Sequence, residues 1–216
     1  MNIIILGSGA VAQTLATAFI HKGHQVGISA RDANKQEARQ WAEKNQGRVL
    51  AFTEITTGAD LYLNCTAGVH SLDVLKLVGT EKLAGKLLID VANPLDFSNG
   101  FPPTLSICND TSLAEQIQQL LPETHVVKAL NTVANSVMID PAIVPGTHHL
   151  PIAGNDAQAK AKVTELLLEL GWKAEQIIDL GDISFARGTE MFLALWVRMY
   201  GKFQTPDFNL QWQVAR

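Results

Sequence analysis

Ile3-Ile4-Ile5-Leu6-Gly7-Ser8-Gly9-Ala10-Val11-Ala12 stands almost at the start of the chain, and its reading decides the fold. Four consecutive large apolar residues predict a strand buried on both faces, the kind found in parallel sheets. The strand runs into Gly7-x-Gly9-x-x-Ala12, where each small residue has a physical task. Gly7 permits a tight turn, Gly9 leaves room for a pyrophosphate against the backbone, and Ala12 lets a new helix pack on the strand. Val11, Leu15, Ala18 and Phe19 recur at helical spacing, and Gly23 supplies a left-handed cap. The helix N-terminus offers free N–H groups and a positive dipole end to phosphates, which makes Gly7, Ser8, Gly9, Ala10 and Val11 candidate cofactor contacts. An ordinary strand–turn–helix would use the glycines for geometry alone. The second strand at Gln25-Val26-Gly27-Ile28 favours a dinucleotide site.

The chain of 216 residues has room for one large α/β unit with a small appendage. Its 47% hydrophobic and 18% charged content predicts a folded protein with a real core. A net charge of −4 argues against a broad nucleic-acid surface. Cys65 and Cys108 form no C-x-x-C and are expected as reduced thiols in a cytoplasmic protein. The Ile3–Leu6 run lacks a basic leader, and the Met191–Tyr200 segment is too short to span a bilayer and is broken by Arg198. Neither a membrane nor a metal is expected.

Further strands are expected at 49–52, 61–63, 86–90 and 125–130, with helices at 33–44, 71–78 and after Thr111 or Ser112. Strands alternating with helices imply a doubly wound parallel sheet in the order 3-2-1-4-5-6. Residues 1–135 are assigned to this Rossmann unit, and residues 136–216 to a small α+β region for substrate and dimerisation. That region should hold strands at 149–153 and 177–180, a helix up to Gly171, and a late helix with Phe185, Phe192, Leu195, Trp196 and Met199 as its apolar stripe. Phe208-x-Leu210-x-Trp212-x-Val214 alternates with period 2 and reads as a final strand.

An NAD-preferring site places Asp or Glu at the end of the second strand, to bind the ribose 2′-OH. Here that position is Ser29, followed by Arg31 and Lys35. A hydroxyl and two cations suit a 2′-phosphate, so NADP is the expected cofactor; Arg31 can fork onto phosphate and Lys35 adds a point charge. Asp32 either faces solvent or caps the next helix through Asn34. Ligands in open α/β sheets lie at the carboxyl ends of strands, which nominates Thr66, Ala67 and Gly68, Asn93 and Pro94, and Asn131 and Thr132. Those polar side chains either meet a nicotinamide or merely satisfy loop backbone. No nucleophile–base pair, zinc spacing or G-x-S-x-G elbow occurs, so no catalytic acid, base or nucleophile is nominated. Hydride transfer between two rings needs positioning and desolvation more than such a group.

Gly7–Ala12, Ser29-x-Arg31 with Lys35, Asp90-x-x-Asn93-Pro94-Leu95, Val127-Lys128-Ala129-x-Asn131-Thr132 and Ala186-Arg187-x-x-Glu190 together resemble NADP-dependent oxidoreductases of the coenzyme factor-420 type. Those proteins transfer hydride between NADP(H) and a deazaflavin, and a related cytosolic domain of metalloreductases passes electrons from NADPH to a flavin. The resemblance covers nearly the whole chain. It implies that Ser8, Ser29, Arg31 and Lys35 hold the phosphates and that Asn93, Pro94 and Asn131 face the nicotinamide. Members acting on the deazaflavin tend to carry His where this chain has Asn131. The expected protein is a cytoplasmic homodimer that reduces a deazaflavin or flavin-like small molecule with NADPH. A reductase of another small molecule and a non-catalytic NADP-binding redox sensor are the alternatives.

Overall fold

A computed structural model describes residues 1–215 of the chain. Its centre is strand β1 (Asn2–Leu6), whose side chains alternate between two apolar layers. Ile3 and Ile5 face one cluster together with Leu15 and Phe19 of helix α1 (Ala10–His21). Ile4 and Leu6 face the other, so both faces of the strand are buried. Around it lie β2 (Gln25–Ala30), β3 (Arg48–Ala51), β4 (Leu61–Asn64), β5 (Leu87–Asp90) and β6 (His125–Lys128). All five neighbour pairs in this set run parallel. The order is 3-2-1-4-5-6, as the alternation of elements predicts.

Two more strands, β7 (Leu150–Gly154) and β8 (Ile177–Asp179), extend the same sheet beyond β6. β7 runs antiparallel to β6, pairing Lys128 with Ala153, and β8 runs parallel to β7. The helices are α2 (Gln36–Asn45), α3 (Ser71–Val78), α4 (Thr80–Leu83), α5 (Leu113–Leu120), α6 (Asn135–Ile139), α7 (Ala157–Glu169), α8 (Ala186–Met191) and α9 (Leu193–Phe203). Ser112 caps α5 by accepting from Glu115 N at 3.1 Å, and Asp156 caps α7 by accepting from Ala159 N at 2.7 Å. α2 begins at Gln36 rather than Ala33, because Asp32 accepts from Asn34 N and holds a turn there.

The final stretch corrects the sequence pattern. Phe208–Val214 forms no strand. His149 N donates to Leu210 O, but the Asn209 side-chain amide takes the His149 carbonyl at 2.8 Å, where a ladder would need a backbone N–H. The late helix is also two helices, joined at Phe192. Leu193 and Val197 are the buried residues of α9, while Trp196 is half-buried and stacks on Phe208 at 5.2 Å between ring centroids. Among the described residues no helix is long and apolar enough to cross a membrane.

Candidate functional site

The carboxyl ends of β1, β2 and β4 border an open cleft of about 540 Å³. Two glycines of the turn play different parts there. Gly7 has φ +124°, and a β-carbon on it would lie 2.6 Å from the Cys65 carbonyl oxygen. Fold alone requires glycine at that position. Gly9 has ordinary extended backbone, φ −79° and ψ −176°, and a β-carbon on it would meet nothing within 4 Å. It lines the cleft, and its small size matters only to something approaching from outside. Gly9 is also the N-cap of α1, no side chain caps that end, and the first turn holds no carboxylate. Free N–H groups and the positive dipole end therefore face the cleft. Gln13 steadies the turn by donating to Ser8 O at 3.0 Å.

At the far corner Ser29, Arg31 and Lys35 line the same cleft. Ser29 is fully buried and its hydroxyl donates to Ile5 O at 3.0 Å. What it brings to the corner is a small, uncharged end to β2. Arg31 and Lys35 are exposed, and Lys35 lies 3.3 Å from the equally exposed Glu37. Such a pair contributes little and leaves the ammonium available. Phe52, at the end of β3, and His70 and Val74, after β4, complete the walls. None of the three is singled out by motif; the rule of strand carboxyl ends, applied to β3, would have reached Phe52.

A second cleft of about 350 Å³ adjoins the first, because Cys65, Thr66 and Ala67 line both. Val11, Asn93 and the exposed Phe97 border it as well. Thr66 is held by its hydroxyl, 2.7 Å from both Asn64 Oδ1 and Ser71 Oγ. Burial, and behind it the Asp90 charge, push the Cys65 thiol up, so it stays protonated. Asn93 Nδ2 donates to Asn131 O at 2.8 Å, and Asn131 Nδ2 returns a bond to Asn93 Oδ1 at 2.9 Å and another to Thr189 O at 3.0 Å. Asn131 is buried, and its Oδ1 has no partner. Leu130 before it sits at φ +66°, uncommon for a residue with a branched side chain.

Eight of the fifteen nominated residues thus border the first cleft: Gly7, Ser8, Gly9, Ser29, Arg31, Lys35, Thr66 and Ala67. Val11, Gly68 and Asn93 border the second, together with Thr66 and Ala67. Ala10, Pro94, Asn131 and Thr132 border neither. Ala10 is the exposed first residue of α1, and Pro94 is buried with its carbonyl accepting from Ser106 N at 2.8 Å.

Behind the Asn pair lies a charge cluster with no assigned role in the sequence. Lys128, at the end of β6, is 2.7 Å from Asp90 Oδ2 and 2.8 Å from Glu190 Oε1, and all three side chains are at most 1% exposed. Lys128 also donates to the Ala92 carbonyl. Glu190 accepts from Leu113 N at 2.7 Å and Ala114 N at 3.1 Å, where the α5 dipole favours negative charge. Asp90 accepts from Asn64 Nδ2 at 2.9 Å. Burial alone would lower the Lys128 pKa, but the two carboxylates outweigh it and hold the ammonium above its ordinary value.

The sheet order, the glycine turn and the cleft across the strand ends give this protein the Rossmann fold of NAD(P)-binding domains. The chain belongs to the family of NADP oxidoreductases described as coenzyme F420-dependent, whose model matches residues 2–94. A candidate F420-dependent NADP reductase from Arthrobacter sp. FB24, known from its crystal structure, is 45% identical; the match covers 100% of both chains with a TM-score of 0.93. The F420-dependent NADP reductase of Methanocaldococcus jannaschii is 30% identical over 143 residues, 66% of this chain and 62% of that protein. The metalloreductase STEAP3 of Rattus norvegicus is 28% identical over 203 residues, 94% of this chain. The chain spans only 38% of that protein's length.

Proposed function

We propose that this protein binds NADP(H) along the two adjoining clefts and transfers hydride between it and a deazaflavin or flavin-like ring, as a cytoplasmic homodimer. The observation that carries the reading is the open space at Gly9 beneath the uncapped α1 terminus. A diphosphate group suits that cradle, and a β-carbon would fill it. Gly7, Ser8, Gly9, Ala10 and Val11 supply the turn and helix end for the diphosphate. Ser29 leaves room without charge at the ribose, and Arg31 and Lys35 meet the 2′-phosphate. Thr66, Ala67, Asn93, Pro94 and Asn131 shape the nicotinamide end. The likeness to the candidate F420-dependent NADP reductase of Arthrobacter and to the F420-dependent NADP reductase of Methanocaldococcus supports this reading.

NADPH held by these residues would supply a hydride, with its electron pair, to the acceptor ring. The chain's own work is to bind, to orient and to exclude water. Residues 1–135 do the first. Residues 136–216 wall off the acceptor and carry the dimer surface, for which Leu195, Phe203 and Trp212 are exposed at 52%, 49% and 46%. The test is dissociation constants for NADPH and NADH, followed by NADPH consumption with factor 420 and with FMN. Tighter binding of NADPH and turnover with either acceptor support the reading. Equal affinity for the two cofactors, or binding without turnover on any ring acceptor, refutes it.

A further inference from the structure

We infer that Lys128 is a positioning residue for the reactive end of the cofactor cleft, acting through the Ala92–Asn93 backbone and through α8. The inference rests on the reading of that cleft as the NADP(H) site. A closed circuit of bonds carries it. Lys128 grips the Ala92 carbonyl, one residue before Asn93. Asn93 and Asn131 exchange amide bonds, and Asn131 donates onward to Thr189 O at 3.0 Å. Thr189 precedes Glu190, which returns to Lys128 at 2.8 Å. The ends of β5 and β6 and the helix α8 therefore meet on a single ammonium. The only other charges on the circuit are the carboxylates of Glu190 and of Asp90 beside it, and Lys128 meets both.

Two features separate this from a general core contact. The circuit contains Asn93, which borders the second cleft, and its only unmet acceptor is Asn131 Oδ1. Each backbone bond in it is directional, so loss of the ammonium frees Ala92 and Asn93 to move relative to Thr66 and Ala67 across the cleft. The glycine turn and Arg31 lie outside the circuit. Removing it should therefore leave the phosphate end of the site intact while loosening the nicotinamide end.

Replacing Lys128 alone strands two buried carboxylates, so the informative variant is the neutral one, Asp90→Asn with Lys128→Met and Glu190→Gln. It is compared with wild type for NADPH affinity, for the fluorescence of bound NADPH, which reports nicotinamide immobilisation, and for kcat with FMN or factor 420. The expected result is an affinity within about threefold of wild type, with loss of the bound-state fluorescence gain and a kcat lower by about 100-fold, the scale set by a misplaced reacting group. Should the triple variant fail to fold, Glu190→Gln alone is read the same way, with a kcat loss of about tenfold at unchanged affinity. Unaltered fluorescence and kcat in a folded variant overturn the inference, as does a parallel loss of affinity and kcat. A wild-type protein that does not bind NADPH would instead sink the reading of the cleft.

Discussion

Gly68 lies so close to Asn93 that a β-carbon on it would overlap the Asn93 carbonyl group. The loop after β4 and the loop after β5 are thus pressed backbone to backbone at the floor of the second cleft. Gly68→Ala should force them apart. Overpacking of this kind costs roughly 1–3 kcal/mol, readable as a lower denaturant midpoint. An unchanged midpoint would mean that the two loops part freely.

Gly7 and Gly9 should respond in opposite ways. Gly7→Ala meets both the positive φ and the Cys65 carbonyl and is expected to destabilise the fold. Gly9→Val meets open space, so its thermal midpoint should stay within a few degrees of wild type while NADPH binding is lost. A Gly9→Val protein that binds NADPH normally would show that no phosphate approaches that backbone.

Arg31→Ala should weaken NADPH by about 10- to 100-fold and leave NADH nearly untouched, because a charge-assisted hydrogen bond contributes about 1.5–3 kcal/mol. Titration with both cofactors decides it. Equal losses would remove Arg31 from the 2′-phosphate.

Arg187 pairs with Glu115 at 2.6 and 2.8 Å and joins α8 to α5. Its hydrogen bonds, opposed by partial burial and aided by Ser112, hold the Glu115 carboxyl below the usual carboxylate range. A folded-state pKa below the unfolded one stabilises the protein above the unfolded value and loses that stabilisation as pH falls through the folded one. Arg187→Ala should therefore be slightly less stable than wild type at neutral pH, since solvent screens much of the pair. The gap should narrow as pH drops below about 4.3. Denaturant melts at neutral and acid pH test this, and a gap independent of pH would rule out the carboxylate as its source.

The Rossmann half was legible because its signals are local. Ile3–Leu6 must be buried on both faces, and a turn that needs Gly7 must follow; no distant residue enters either statement. Arg31 and Lys35 were likewise readable from their distance to the glycines. Phe208–Val214 was not, since alternation tells which side chains are apolar and not what satisfies the backbone, and there the Asn209 amide took the place of a neighbouring strand. The charge cluster lay further out of reach. Asp90 and Lys128 each end an apolar strand, a faint mark, and only folding brings Glu190 from the far end of the chain between them.

That cluster also constrains the history of the sequence. Asp90, Lys128 and Glu190 share one dry pocket, and replacing Lys128 alone leaves two carboxylates there with no cation to meet them. Lys128 therefore cannot be the first of the three to change. Lineages of this fold should keep it for as long as either acid remains, and a descendant found with an apolar residue in place of Lys128 should have lost both acids too.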